Sequence, residues 1–241
     1  MARLEYVILT RGRPHEQRTY DFLVATGFHP TLVVNSEEDA GGRPHVVFPH
    51  GHVGEVRQRV LEEMGDRVMM LDDDLAFHRV ENGRVIPMKT AEWSDLVYDI
   101  ESALDEFAHV GLADRFMAHT RIRPREYNKR YIKAICYNRE LFPDLWPEFR
   151  LPVSEDLDFN LQLLAEGRPN CILTEWAVSD KGQYKPGGCQ HYRTDAVELG
   201  VCRWMEEAHP GIYSFVTDSR GRHRSRVAWR NALKTGGGTP V

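Results

Sequence analysis

Only four of the 241 residues are cysteine, Cys136, Cys171, Cys189 and Cys202, and no two form a C-x-x-C pair. That scatter excludes a disulfide framework and an ordinary zinc site, and it reads as free thiols in a reducing, cytoplasmic compartment. No apolar run approaches the roughly 20 residues that cross a bilayer. "MARLEYVILT" lacks the pattern of a secretion signal, since a charged start leads straight into a strand-like run. There is no internal repeat and no Pro/Gly-rich linker, so the length suits one domain with a substantial core.

Acid is missing from one place. Between Arg220 and Lys234, "RGRHRSRVAWRNALK" contains six basic residues and no Asp or Glu, although the chain as a whole has a net charge of −5. A basic segment on an acidic body suggests a polyanionic partner. Trp229 within it adds a stacking group suited to nucleic acid. The expected division is a domain over 1–218 and a basic tail over 219–241.

What is present is strand–helix alternation. "LEYVILT" (4–10) reads as a buried strand, "HEQRTYDFLVATG" (15–27) as a helix, and "TLVVN" (31–35) and "HVVFP" (45–49) as strands. "HVGEVRQRVLEEMG" reads as a helix and "RVMML" as a further strand. "ENGRV" marks a hairpin turn. "TAEWSDLVYDIESALDEFAHVG" (90–111) has helical periodicity, and "RYIKAICYN" (130–138) reads as a strand. "SEDLDFNLQLLAEG" (154–167) opens like a capped helix, and "NCILTEWAVS" is the last strand. Residues 180–195 read as a loop. The expected fold is α/β, a mostly parallel central sheet with helices on both faces.

In such sheets ligands bind beyond the carboxyl ends of the strands. "TRGRP" after the first strand and "LDDD" after the fourth would share one crevice. Adjacent carboxylates repel, so Asp72, Asp73 and Asp74 need a cation. Clustered oxygen donors suit Mg²⁺ or Mn²⁺. Alternate residues point the same way, which makes Asp72 and Asp74 the ligand pair. Arg11 and Arg13 are placed to hold phosphates, and Arg57 and Arg59 are further candidates. Glu155 and Asp156 open a helix, where either could act as a general base or simply cap it. His191 is a lone candidate ligand. "RIRPREYNKR" supplies a second basic patch: Arg121, Arg123, Arg125, Lys129 and Arg130. Tyr127, Tyr131, Tyr137, Trp176, Tyr184 and Tyr192 are candidates for stacking on a base.

In this order the pieces resemble a GT-A glycosyltransferase over about residues 4–195. "TRGRP", "YIKAICYNRELF" and "EDLDFNLQLLAEGRPNCIL" are most similar to the phage and TET-associated DNA glycosyltransferases. The resemblance implies a UDP-sugar donor (UDP-glucose or UDP-N-acetylglucosamine), Mn²⁺ or Mg²⁺, and DNA carrying a hydroxymethylated pyrimidine such as 5-hydroxymethylcytosine. It implies a metal held by Asp72, Asp74 and His191, and inverting transfer with Asp156, or else Glu155, as base. Thr10, Arg11, Gly12, Arg13 and Glu37 would bind the donor with Arg57, Arg59 and Asp73. Arg220, Arg222, Arg224 and Arg226 would join the basic patch in meeting DNA. The same fold could also serve a glycan, protein or small-molecule acceptor.

Overall fold

The structure is a computed structural model that describes residues 3–118, 120, 123–143, 147–180 and 188–233, with His191 described by its backbone alone. The chain runs β1 (Glu5–Thr10), α1 (Arg18–Ala25), β2 (Thr31–Val34), β3 (His45–Val47), α2 (Val53–Glu63) and β4 (Arg67–Asp72). Then come β5 (Ala76–Glu81), β6 (Arg84–Pro87), α3 (Trp93–Leu104), β7 (His109–Asp114), α4 (Arg115–Ala118), β8 (Arg125–Tyr127) and β9 (Ala134–Asn138). It ends with α5 (Glu155–Ala165), β10 (Asn170–Ser179), α6 (Asp195–Ala208), β11 (Tyr213–Thr217), β12 (His223–Val227) and α7 (Trp229–Ala232).

A ten-stranded sheet organises the fold in the order β3-β2-β1-β4-β9-β7-β10-β5-β6, with β8 also pairing β10. β1 to β4 are parallel neighbours, as the βαβ pattern requires. β9 runs antiparallel between β4 and β7, and β5 runs antiparallel to β10. The fold is thus α/β with a sheet that is parallel in its first half and mixed in its second.

Both faces of the central strands are covered, which explains their near-continuous apolar character. Along β1 the side chains alternate between layers. Tyr6 and Ile8 join Leu32, Val34, Met69 and Leu71 under α1 and α3. Val7 and Leu9 join Val33, Val68 and Met70 under α2 and α5. The helices therefore lie on both faces. A third cluster packs Leu157, Leu161 and Leu164 of α5 against Val201 and Met205 of α6 and Tyr213 of β11.

Three expectations change. The helix expected over 90–111 stops at Leu104, and its last residues enter β7. Gly111 lies in that strand where any Cβ would collide with Tyr131. The basic segment expected to be a loose tail after residue 218 begins instead inside a hairpin: β12 pairs with β11 from Tyr213↔Val227 to Thr217↔His223. Finally, Tyr131, Tyr137 and Trp176 are core side chains, so none of the three offers a free face to a base.

Candidate active site

One edge of the sheet gathers the chemistry. Thr10, Asp72 and Asp114 end β1, β4 and β7, and Asp180 follows β10. β9 starts at the same edge, pairing Leu71↔Ala134, so Lys133 sits there too. Above it lies a cleft lined by Thr10, Arg11, Arg13, Asp72, Asp73 and Asp74. His50, Val53, Cys189, Tyr192 and Arg193 also line it. Its enclosed space is about 170 Å³, and it opens broadly to solvent.

Arginine and hydroxyl partners relieve the repulsion within the acidic triplet. Arg13 Nη1 donates to Asp73 Oδ1 at 2.8 Å and to Asp74 Oδ2 at 3.3 Å. Thr10 Oγ1 donates to Asp73 Oδ2 at 2.6 Å, and Gln17 Nε2 donates to Thr10 Oγ1 at 2.7 Å. Arg57 Nη2 donates to Asp72 Oδ1 at 3.2 Å. Burial pushes the Asp72 carboxyl upward, Arg57 opposes that rise, and Asp74 and Asp73 add to it. Asp73 is also raised by burial, against the hydrogen bond from Thr10 and the charge of Arg13.

The turn that carries the triplet is pinned from below by Thr19. Its Oγ1 donates to the Asp72 carbonyl at 2.6 Å and accepts the Leu75 N–H at 2.9 Å. Its own N–H donates to the Asp73 carbonyl at 3.0 Å. Neither Thr19 nor Gln17 was marked by the sequence, where both read as ordinary residues of a helix start.

Asp72 and Asp74 each give one oxygen to an arginine. Among the described residues the second oxygen of each takes no hydrogen bond. Two hard oxygen donors in a cleft fit Mg²⁺ or Mn²⁺, which often bind through one or two carboxylates and complete their shell with substrate phosphates and water. Among the described residues no group of three His, Cys, Asp or Glu side chains could hold an ion. The His191 side chain lies outside those residues.

The acidic pair on α5 sits deeper. The helix opens after Ser154, whose φ of +58° is left-handed and uncommon for a residue with a side chain. Arg57 Nε donates to Glu155 Oε1 at 3.0 Å, so one buried guanidinium joins Asp72 to Glu155. Burial pushes the Glu155 carboxyl upward, with Arg57 opposing and Asp156 adding to the rise. Asp156 Oδ1 accepts the Leu157 N–H at 2.8 Å. Asp156 makes no ion pair among the described residues. Both carboxylates are buried, and neither lines the cleft.

Other expected donor residues divide. Gly12, at φ +69°, donates its N–H to Asp39 Oδ1 at 2.7 Å, placing Asp39 at the rim. Arg11 Nη1 donates to the carbonyls of His50 and Gly51. Glu37 turns outward to His45, at 2.6 Å. Arg59 lies on the outer side of α2, 4.1 Å above the Phe48 ring and paired with Glu63. Geometry thus separates Arg57, which is buried beside the acids, from Arg59, which is not near them.

The expected acceptor residues are spread over the surface. Arg123 is exposed, Arg125 lies in β8, and Lys129 and Arg130 follow it. Arg121 falls outside the described residues, as does Tyr184. Arg130 is near enough for its charge to act on the Tyr213 hydroxyl, which brings this patch toward the hairpin. There Arg222 and Arg224 share Asp218, while Arg220 and Arg226 form no ion pair among the described residues.

A family model described as TET-Associated Glycosyltransferase matches residues 5–188, well over half the chain. No curated protein matches. Among solved structures, a putative glucose-1-phosphate thymidylyltransferase from Bacillus anthracis in complex with a sucrose is 10% identical, with a TM-score of 0.40. That match covers 66% of this chain and 83% of that one. A hypothetical transferase from Thermus thermophilus is 18% identical with a TM-score of 0.34, over 58% of this chain and 68% of that one. Among the described residues no helix is long and apolar enough to cross a membrane.

Proposed function

We propose, from the premise that this chain belongs to the TET-associated glycosyltransferase family and is a glycosyltransferase, that it transfers a sugar from a UDP-sugar to the hydroxymethyl group of a modified pyrimidine in DNA. The observation that carries the reading is the convergence of Asp72 and Asp74 with Thr10, Arg11 and Arg13 in one cleft at the carboxyl edge of the sheet.

Asp72 and Asp74 would hold a divalent ion, Mn²⁺ or Mg²⁺, which would neutralise charge on the departing diphosphate. Arg11 and Arg13, on the first-strand side of the cleft, would bind that diphosphate and favour its departure. Thr10 and Asp73 would orient Arg13, and Gly12 would let the backbone turn toward the donor. Glu37 and Arg59 are left out of this assignment because their side chains face away from the cleft.

Asp156 is the better base. Glu155 is ion-paired with Arg57, whereas Asp156 feels the Arg57 charge but forms no ion pair among the described residues. Its carboxylate would take the proton from the hydroxymethyl oxygen as that oxygen attacks the anomeric carbon from the side opposite the leaving group, giving inversion. Because Asp156 is buried, access to it requires the acceptor to displace neighbouring side chains. His191 is retained as a candidate third ligand. Arg121, Arg123, Arg125, Lys129 and Arg130, together with Arg220, Arg222, Arg224 and Arg226, would meet the phosphates of the acceptor.

The reading is tested by following UDP release with Mn²⁺, a panel of UDP-sugars, and DNA with or without 5-hydroxymethylcytosine. Release stimulated only by modified DNA supports it. Release that ignores DNA but responds to a glycan or a small molecule moves the acceptor elsewhere.

A further inference from the structure

The four-residue helix α4 is built the wrong way round for a buried element. In "RFMA" the small residue is inside and the large apolar ones are outside. Ala118 is fully buried and packs with Ala113 of β7 and Ala177 of β10, beside Val80 and Val85. Phe116 is 72% exposed and Met117 is 50% exposed. Adjacent exposed apolar side chains held on a fixed backbone point to contact with something else.

The position of the helix suggests what that is. α4 follows directly from Asp114, which lies at the same sheet edge as the acidic triplet. Phe116 N–H donates to Asp114 Oδ1 at 2.8 Å. Lys133 Nζ lies 3.4 Å from Asp114 Oδ2 and 3.2 Å from Asp180 Oδ2. Its carbonyl accepts the Asp72 N–H at 3.0 Å. A short chain of contacts therefore fixes Phe116 relative to the cleft floor.

Charge selects the occupant. Arg115 precedes Phe116, and both Arg115 and Arg18 act on His78. Arg123 is tied through its carbonyl to Thr174 of β10, the strand that also carries Ala177, and Arg125 follows in β8. Arg18, Arg115, Arg123 and Arg125 form no ion pair among the described residues. The nearby acids Asp114 and Asp180 are engaged by Lys133. Apolar tips on an element flanked by arginines that form no ion pair match stacked bases flanked by phosphates, and Phe and Met are side chains that proteins insert between base steps.

We propose that Phe116 and Met117 form a wedge that enters the base stack of the DNA acceptor next to the target nucleotide, holding the gap open while that nucleotide occupies the cleft. The proposal rests on the DNA-acceptor reading above. It adds that duplex DNA is a substrate and names the side chains that open it. A base inside a duplex must leave the stack before its hydroxymethyl group can reach an enclosed site, and unstacking costs a few kcal/mol.

The test compares the wild type with Phe116→Ala, Met117→Ala and the double variant on duplex and single-stranded DNA of one sequence containing 5-hydroxymethylcytosine. A 2-aminopurine beside the target reports unstacking. Removing the wedge should lower kcat/KM on the duplex by about tenfold or more, equivalent to about 1.4 kcal/mol of lost opening. Transfer to the single strand should change by less than about twofold, and the duplex 2-aminopurine signal should fall. Equal losses on both substrates, or no loss on either, overturn the wedge while leaving the DNA reading intact. Wild-type self-association that the double variant abolishes, with duplex transfer unchanged, makes the patch an interface between copies instead. A wild type that transfers to neither DNA overturns the acceptor reading and the wedge with it.

Discussion

Arg57 Nε donates to Glu155 Oε1 at 3.0 Å, joining α2 to α5 across 98 residues of sequence. The same guanidinium reaches Asp72 at 3.2 Å. This buried arginine therefore couples the acid at the end of β4 to the acidic start of α5. It has no exposed face with which to bind a donor.

Removing it leaves two carboxylates without their cation. Arg57→Met should destabilise the fold by about 3 kcal/mol, since breaking one partner of a buried ion pair typically costs 3–5 kcal/mol and Asp72 keeps some contact with solvent. Arg57→Lys retains the charge but replaces a planar fork with a single ammonium, so it should recover much of the stability and little of the activity. Chemical denaturation beside a transfer assay separates the two quantities.

Metal affinity should depend on pH. Burial pushes the Asp72 carboxyl up to about 7, and a cation must displace its proton to bind there. The affinity for Mn²⁺ should therefore rise as pH increases through neutrality, with proton release on binding. Calorimetry in buffers of different ionisation enthalpy measures that release. Asp74→Asn should weaken Mn²⁺ binding and abolish transfer while the chain stays folded.

Thr19 holds the acidic turn without touching any ligand. Thr19→Val strands the Leu75 N–H and the Asp72 carbonyl, a cost of about 1–3 kcal/mol. It should also lower transfer by about tenfold or more, because small displacements of a reacting centre are costly. Thr19→Ser keeps the hydroxyl and should restore both. A stability loss without a change in transfer would make Thr19 purely structural.

His109 should make the protein acid-sensitive. The ring is fully buried between the Tyr131 hydroxyl, at 2.9 Å, and the Arg168 carbonyl, at 3.0 Å. Burial lowers it from 6.5 to about 4. Below pH 6.5 the unfolded chain takes up a proton that the folded ring resists, so stability falls as pH drops from 6.5 toward 4. The full effect is on the order of 3 kcal/mol. It is fully present as stability above pH 6.5. Urea midpoints across this range should fall more steeply for the wild type than for His109→Gln, which has no such titration.

The parts of the fold that rest on uninterrupted apolar runs were legible in the sequence. β1 and β4 are buried on both faces, and their ends brought "TRGRP" and "DDD" to one crevice as the alternation implies. β7 was not legible. Gly111 dilutes its strand character, and the Phe107–Gly111 stretch continues the rhythm of α3. The hairpin near the C-terminus was hidden by its arginines. Arg224 and Arg226 alternate outward on β12, and alternation of a charge reads as a basic run when the partner strand is unknown. Arg57 and Arg59 look equivalent in "VRQRV". Only the packing of α2 against α5 separates the arginine beside Glu155 from the one stacked on Phe48.

The central claim is sugar transfer to DNA from the cleft built on Asp72 and Asp74. The most direct measurement is mass spectrometry of nucleosides digested from 5-hydroxymethylcytosine DNA after incubation with Mn²⁺ and a UDP-sugar, for the wild type and for Asp74→Asn. A hexose or N-acetylhexosamine added to the modified nucleoside by the wild type, and absent with Asp74→Asn, is the predicted result. Unchanged nucleosides with every donor, or full transfer by Asp74→Asn, would contradict the account.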